Sequence, residues 1–142
     1  LLPTRWMFEW IEAWFPGSTW NMFGGDVVVE GDWELTGRRS EYPSIGGCYY
    51  ASRLAVAEYL SGIGRQAGAV LYREIYPGFN VPVGVWFVRE MARAMFNQPY
   101  RKYHSLGELI EDLRGLTKVP VEGIVARSKI LSLMAKGKRL HG

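Results

Sequence analysis

Three carboxylates recur at every second position of one short segment of the chain. Glu30, Asp32 and Glu34 fall on one face if residues 26–35 form a β-strand. Carboxylate oxygens in this pattern suit a divalent cation, which makes a metal-dependent enzyme acting on nucleic acid or nucleotides one hypothesis. Acidic residues on the solvent side of a half-buried strand explain the pattern without a metal, and this is the interpretation that the pattern favours.

Paired glycines and several arginines suggest a second kind of site, one for an anion. Gly46 and Gly47 precede a helical pattern, where free backbone N–H groups and the positive end of a helix dipole attract phosphate. The chain lacks both G-x-x-x-x-G-K-[ST] and G-x-G-x-x-G, so a tight loop packed against a neighbour is the alternative. The arginines in or next to otherwise apolar elements are Arg53, Arg65, Arg73, Arg89 and Arg93, and Arg53, Arg73, Arg89 and Arg93 are the candidates for the anion. A structural ion-pair network with Glu58, Glu74 and Glu90 would also satisfy them.

Two further motifs carry residues able to do chemistry. Tyr100, Arg101 and Lys102 combine an aromatic ring with two cations, as in surfaces that touch a nucleic-acid backbone and stack on a base, although a solvated loop has the same composition. Cys48 would have a lowered thiol pKa if exposed at a helix start, whereas a small buried cysteine is the other interpretation. No complete acid–base or nucleophile set emerges, so catalytic residues stay unassigned and no cofactor is expected.

The elements that must position these residues follow from hydrophobic periodicity. Trp6, Trp10 and Trp14 lie four apart and predict a helix over residues 4–15, ended by Pro16. Strands are predicted over residues 26–35 and 67–76. Helices are predicted over residues 48–63, 86–96 and 106–113, and from Pro120 toward Met134 with a break near Ser128.

These elements predict one α+β domain over residues 1–142, with one small sheet covered by helices and the Trp helix packed onto it. Two strands do not make a stable sheet, so a further strand is expected around residues 81–85 or from upstream sequence. Residues 136–142 read as a flexible tail. The first residues resemble neither an initiator methionine nor a signal peptide, which predicts the C-terminal part of a longer protein.

Composition narrows the class of protein further. The 142 residues include six Trp and eight Tyr, and a net charge of +3 is compatible with nucleic acid without demanding it. No apolar run is long enough for a membrane span. A lone cysteine and two histidines exclude a disulfide framework and a Cys/His zinc cluster within the chain, and they favour a reducing, cytoplasmic compartment.

Several stretches resemble one protein family. The longest is IGGCYYASRLAV at residues 45–56, followed by RQA at 65–67, REI at 73–75 and PVGVWFVRE at 82–90. WMFEW at residues 6–10 and EGDWE at 30–34 are similar too. Together they resemble the C-terminal region of the archaeal Nre proteins.

This resemblance implies an archaeal, cytoplasmic protein associated with DNA repair, with DNA or repair proteins as partners through the full-length protein. Longer family members carry a zinc-finger-like segment and, in some, a sliding-clamp-binding motif. Residues 132–142 do not supply the clamp pattern of Gln, an aliphatic residue and paired aromatics, so clamp binding is not expected of this chain. The leading hypothesis is a DNA-repair-associated binding or scaffolding domain, and the metal-dependent enzyme is its alternative.

Overall fold

The computed structural model of the chain describes residues 1–80 and 82–139. In that part of the chain the strands are β1 (Met7–Trp14), β2 (Val28–Glu34) and β3 (Gly68–Ile75), with a short 3-10 turn over Thr19–Asn21. The helices are α1 (Gly47–Gly62), α2 (Val85–Phe96), α3 (Leu106–Leu113), α4 (Val121–Arg127) and α5 (Lys129–Arg139). The predicted α+β class, with one small sheet and covering helices, is confirmed.

The first strand is the centre of the sheet, whose order is β2-β1-β3. β1 pairs antiparallel with β2 and parallel with β3, so that Glu12 lies between Glu30 and Arg73. The predicted Trp helix over residues 4–15 is therefore wrong. A spacing of four is an even number, so it places Trp10 and Trp14 on one face of a strand as well as on one face of a helix.

Helix α1 covers one face of the sheet, and α2 packs on α1. Phe8 of β1 meets Tyr49 of α1 edge-on, with ring centroids 5.0 Å apart. Tyr59 of α1 stacks on Phe96 of α2 at 4.2 Å. Both helices begin and end within about one residue of the predicted positions.

Helix α5 contacts the other face of the sheet and is anchored there by Glu9, which is 2% exposed. The Glu9 carboxylate accepts hydrogen bonds from Ser128 Oγ at 2.6 Å and from the backbone N–H groups of Lys129 and Ile130 at 2.7 and 3.1 Å. A buried carboxylate thus satisfies the free donors at the start of α5. The predicted break near Ser128 is confirmed, because Ser128 separates α4 from α5.

The remaining predictions concern short segments. Ser105 Oγ accepts a hydrogen bond from the Glu108 N–H at 3.2 Å, as the capping-box spacing predicts. The third strand expected around residues 81–85 is not formed by the described part of that segment, since Val85 begins α2 and residue 81 lies outside the described residues. Of the predicted tail, 136–139 belong to α5 and 140–142 lie outside the described residues.

Candidate nucleic-acid interface

The carboxylates of β2 face α1, which reverses the predicted orientation of that strand. Glu34 is 6% exposed, whereas Trp33 on the opposite face is 43% exposed. The reversal follows from the register, because Glu34 lies beside Phe8 and Asp32 lies beside Trp10, both on the face of β1 that meets α1. The alternation itself was predicted correctly, but the wrong face was assigned to solvent.

The Asp32 carboxylate is bound by the Arg39 guanidinium through two hydrogen bonds, an arrangement that we call the Arg39 fork. The Arg39 Nη1 and Nη2 atoms donate to Asp32 at 3.0 and 2.6 Å, and the backbone N–H of Ser44 donates to it at 2.9 Å. Burial raises the pKa of this carboxyl, but the hydrogen bonds and charge of Arg39 outweigh burial and hold the pKa below its usual range.

Glu34, two residues further along β2, has a different set of donors. Trp6 Nε1 donates at 2.7 Å and the Tyr49 hydroxyl at 3.0 Å, while Arg53 Nε lies 2.9 Å from both oxygens. Burial again raises the pKa, and the hydrogen bonds from Arg53 and Trp6 together with the Arg53 charge lower it overall.

Glu30 is the exposed member of the three predicted metal ligands. Since Asp32 and Glu34 each bind a separate guanidinium, the three carboxylates do not converge on one point. Across residues 1–80 and 82–139, no group of three or more His, Cys, Asp and Glu side chains is placed to hold a metal ion.

The paired glycines pack closely at the start of α1. A Cβ on Gly47 would lie 2.8 Å from Val85 Cγ2, so the start of α1 packs closely against the start of α2. Gly46 has a φ of +74°, a conformation that favours glycine. Cys48 is 4% exposed and burial raises its thiol pKa, as expected of a buried cysteine and not of a nucleophile.

Arg73 lies in the core next to this loop, with 9% of its side chain exposed. Its Nη2 donates to Glu12 Oε1 at 2.8 Å and also to the Pro82 carbonyl. Glu12 in turn accepts hydrogen bonds from Trp10 Nε1 at 2.6 Å and Trp14 Nε1 at 2.9 Å. This arginine therefore acts within the sheet as the counter-ion of a buried carboxylate.

Arg93 and Arg89 lie on α2 and pair with acidic neighbours. Arg93 binds Glu58 of α1 through Nε and Nη2 at 2.9 and 2.8 Å, and it reaches Glu90 at 3.1 Å. Arg89 Nε lies 3.5 Å from Glu90. The ion-pair network that Glu58 and Glu90 made possible in the sequence is present on this surface.

The predicted aromatic and basic loop is exposed. Tyr100 is 73% exposed, and Lys102 Nζ lies 5.9 Å from its ring centroid. Arg101 binds Asp112 of α3 at 2.5 Å while 70% of its side chain stays exposed. The loop thus presents one ring and two cations to solvent.

A cleft of about 360 Å³ lies where the start of β1 meets the second half of α1. Its lining consists of Trp6, Arg53, Ala57, Leu60, Ser61, Arg65 and Gln66. We name it the Trp6 cleft. The Arg53 guanidinium carbon lies 5.3 Å from the Trp6 ring centroid, and 39% of the Arg53 side chain is exposed. Arg65 is exposed and pairs with no carboxylate among the described residues.

Comparison with known proteins places this arrangement in a family. A family model described as archaeal Nre, C-terminal, matches residues 34–142. The chain belongs to the archaeal Nre family. The resemblance carried by the glycine loop and the arginine motifs is thereby confirmed.

The Nre relatives come from two archaea. The chain is 53% identical over 110 residues to the DNA repair protein NreB of Archaeoglobus fulgidus, and the match covers 78% of this chain and 28% of that protein. It is 37% identical over 115 residues to the DNA repair protein NreA of Haloferax volcanii, covering 80% of this chain and 27% of the relative. The chain thus spans less than a third of the length of the Nre proteins it matches, and no solved structure matches it.

Sequence reasoning found part of the Trp6 cleft in this Nre chain. The sequence indicates Arg53 as a candidate, but its periodicity predicts a helix for Trp6, and Arg65 stands out only as an arginine next to an apolar element. The missing signal was the parallel pairing of β1 with β3, which brings Met7 beside Gly68 and so places Trp6 near Gln66.

In the described part of the chain, no helix combines the length and apolar character needed to cross a bilayer.

Proposed function

We propose that this chain is a single-stranded DNA-binding module of an archaeal DNA repair protein. Its relatives are named DNA repair proteins, which supports a role associated with repair. The observation that carries the proposal is the Trp6 cleft, where an indole ring and two guanidinium groups line one concave surface.

The residues of the Trp6 cleft suit a flexible nucleic-acid strand. Arg53 and Arg65 supply positive charge for backbone phosphates, and the half-buried Trp6 indole offers apolar surface to a base. Arg53 is held in place by Glu34, which orders its guanidinium before a ligand arrives. An aromatic ring among cations is the usual composition of a surface that binds single strands without sequence preference.

Binding of labelled single-stranded DNA to the 142-residue chain, titrated against salt, tests the proposal. Arg65→Gln removes one exposed cation without breaking an ion pair of the described residues. Losing one phosphate contact to a single strand should make the slope of log K against log salt shallower by about 0.7, which corresponds to an affinity loss of roughly fivefold at 0.1 M salt.

Arg38→Gln is the matched control, because Arg38 is exposed, lies outside the cleft and makes no ion pair among the described residues. It should leave both affinity and salt slope nearly unchanged. The proposal would be overturned if Arg65→Gln and the wild type had equal slopes of log K against log salt. It would also be overturned if the chain did not bind single-stranded DNA at low salt. The same titration on Lys102→Gln tests whether the loop of Tyr100, Arg101 and Lys102 adds a second contact.

In the cell we expect this module to act in the cytoplasm, with repair proteins joining DNA as partners of the longer family members. The engaged carboxylates Asp32 and Glu34 give the metal-dependent alternative no specific support. Binding is therefore the function that the geometry supports best.

A further inference from the structure

A second, smaller cleft lies at the opposite end of β1 from the Trp6 cleft. It has a volume of about 160 Å³ and is lined by Trp14, Trp20, Val28, Glu30, Ser44 and Ile45. We name it the Trp20 cleft. Its walls come from the end of β1, the 3-10 turn, the start of β2 and the loop before α1, so the sheet register fixes their relative positions.

The size of the Trp20 cleft selects a single aromatic ring. An apolar cavity of about 150 Å³ in a protein holds one benzene-sized molecule. The Trp20 cleft therefore fits a six-membered ring and is small for the fused rings of a purine. Among the bases of a nucleic acid, this size favours a pyrimidine.

The aromatic wall of the cleft is rigid and partly exposed. Trp20 is 54% exposed and stacks on the fully buried Trp14, with ring centroids 4.5 Å apart and planes 29° apart. Trp14 is fixed by its hydrogen bond to Glu12, and Asn21 Nδ2 holds the turn by donating to the Trp14 carbonyl at 2.8 Å. A base stacking on Trp20 thus meets a ring that is already positioned.

Glu30 gives the cleft a preference between the two pyrimidines. Its carboxylate is exposed and pairs with no cation among the described residues, unlike Asp32 and Glu34. A carboxylate only accepts hydrogen bonds, and cytosine presents an N4 amino donor where thymine presents the O4 acceptor. The Ser44 hydroxyl, which both donates and accepts, is the other polar side chain of the lining.

An exposed cation lies at the outer edge of the strand that carries Glu30, and a cation of this kind suits a backbone phosphate. Arg127 is exposed at the outer edge of β2, where its Nη1 donates to the Val29 carbonyl at 3.2 Å. Val29 directly precedes Glu30 in the chain. Arg127 therefore adds positive charge at the edge of β2, where a strand bound in the Trp20 cleft could place a phosphate.

We propose that the Trp20 cleft binds one cytosine base of a single-stranded DNA. The inference rests on the proposed single-stranded DNA binding and adds a base preference to it. Trp20 supplies stacking, Glu30 accepts a hydrogen bond from the N4 amino group, and Arg127 faces the backbone.

The test compares affinities for oligodeoxycytidylate and oligothymidylate of equal length at one salt concentration. Wild type should prefer cytosine by about tenfold, the size expected for one hydrogen bond to a charged acceptor. Glu30→Gln should reduce the preference to within about twofold, because an amide can also donate to thymine O4. Glu41→Gln, a change at an exposed carboxylate outside the cleft, should keep the full preference.

Trp20→Ala should weaken binding of both homopolymers by roughly tenfold through lost stacking. Trp86→Ala, which removes an equally large exposed indole on α2, is its control and should change neither affinity. Equal wild-type affinities for the two homopolymers, or an unchanged preference in Glu30→Gln, would overturn the base preference. Such a result would leave the proposed function standing if Arg65→Gln still lowers the salt slope, whereas failure of both homopolymers to bind would overturn the proposed function itself.

Discussion

Each carboxylate on the α1 face of the sheet that is buried or half-buried has an arginine of its own. The pairs are Glu12 with Arg73, Asp32 with Arg39 and Glu34 with Arg53. A buried ion pair contributes little net stability, but removing one partner leaves an uncompensated charge that costs about 3–5 kcal/mol. These arginines are consequently needed for the fold, and of the three only Arg53 also lines the Trp6 cleft, with 39% of its side chain exposed.

Asp32→Asn should change how stability depends on pH. The pKa of Asp32 is lower in the folded protein than in the unfolded chain, so its contribution is fully present above the unfolded pKa of about 3.9 and is lost as pH falls through the folded pKa. We expect the free energy of unfolding, measured by urea titration, to fall between pH 7 and pH 3 in both proteins. The fall should be larger for wild type than for Asp32→Asn, by on the order of 1 kcal/mol.

Glu41→Gln serves as the control for this experiment, because Glu41 is an exposed carboxylate whose side chain makes no ion pair among the described residues. Its pH dependence should follow that of wild type. Parallel curves for wild type and Asp32→Asn would mean that the Arg39 fork does not stabilise the folded protein.

Local pairings were predictable from the sequence and distant ones were not. Arg93 meets Glu90 because the two lie three positions apart on α2, whereas its pairing with Glu58, 35 positions away, depends on the packing of α1 on α2. Glu12 lies 61 positions from Arg73, and only the sheet register brings the two together. The site residues Trp6 and Trp20 were missed for the same reason, since both clefts combine segments that are far apart in sequence.

At the scale of elements, the first strand shows how one pattern admits two structures. Seven of its eight residues are buried, including Glu9 and Glu12 on opposite faces. A strand buried on both faces reads as a nearly continuous apolar run, which periodicity alone does not separate from a helix. Its length of eight residues and its aromatic content were the available signals for a strand.

The contact between the starts of α1 and α2 gives a prediction for Gly47. A Cβ at this position would lie 2.8 Å from Val85 Cγ2, and valine has few rotamers with which to move away. Gly47→Ala should therefore lower the free energy of unfolding by about 1–3 kcal/mol, as overpacking of a well-packed contact does. Thermal or urea unfolding measures the change.

Gly62→Ala provides the matched control at the other end of α1, because no atom lies within 4 Å of the Cβ that it adds. It should be neutral or stabilise by up to about 1 kcal/mol through helix propensity. If both variants unfold alike, the packing of α1 on α2 does not depend on a glycine.

For the whole molecule, the family match and the folding unit have different boundaries. The family model begins at residue 34, whereas β1 and nearly all of β2 precede that position. β3 pairs with β1 alone in the sheet, so residues 34–142 retain one strand without a partner. The helices of that segment would lose the surface on which α1 and α5 pack.

A chain of residues 34–142 should accordingly fail to fold cooperatively. Circular dichroism and urea titration should show residual helix without a sigmoidal unfolding transition, since the core loses Phe8 and Trp10. The 142-residue chain is the control and should give a single transition. A cooperative transition for residues 34–142 would mean that the helices form a core without the sheet.

The parallel pairing of β1 with β3 also means that β1 is synthesised well before one of the two strands that pair with it. Met7 pairs with Gly68, so β1 leaves the ribosome 61 residues before its second neighbour exists, counting from position 7 to position 68. At roughly 5–20 residues per second, that interval lasts about 3–12 s. During it, the strand that becomes the buried centre of the sheet has at most β2 beside it, so one of its edges stays unpaired until β3 is made.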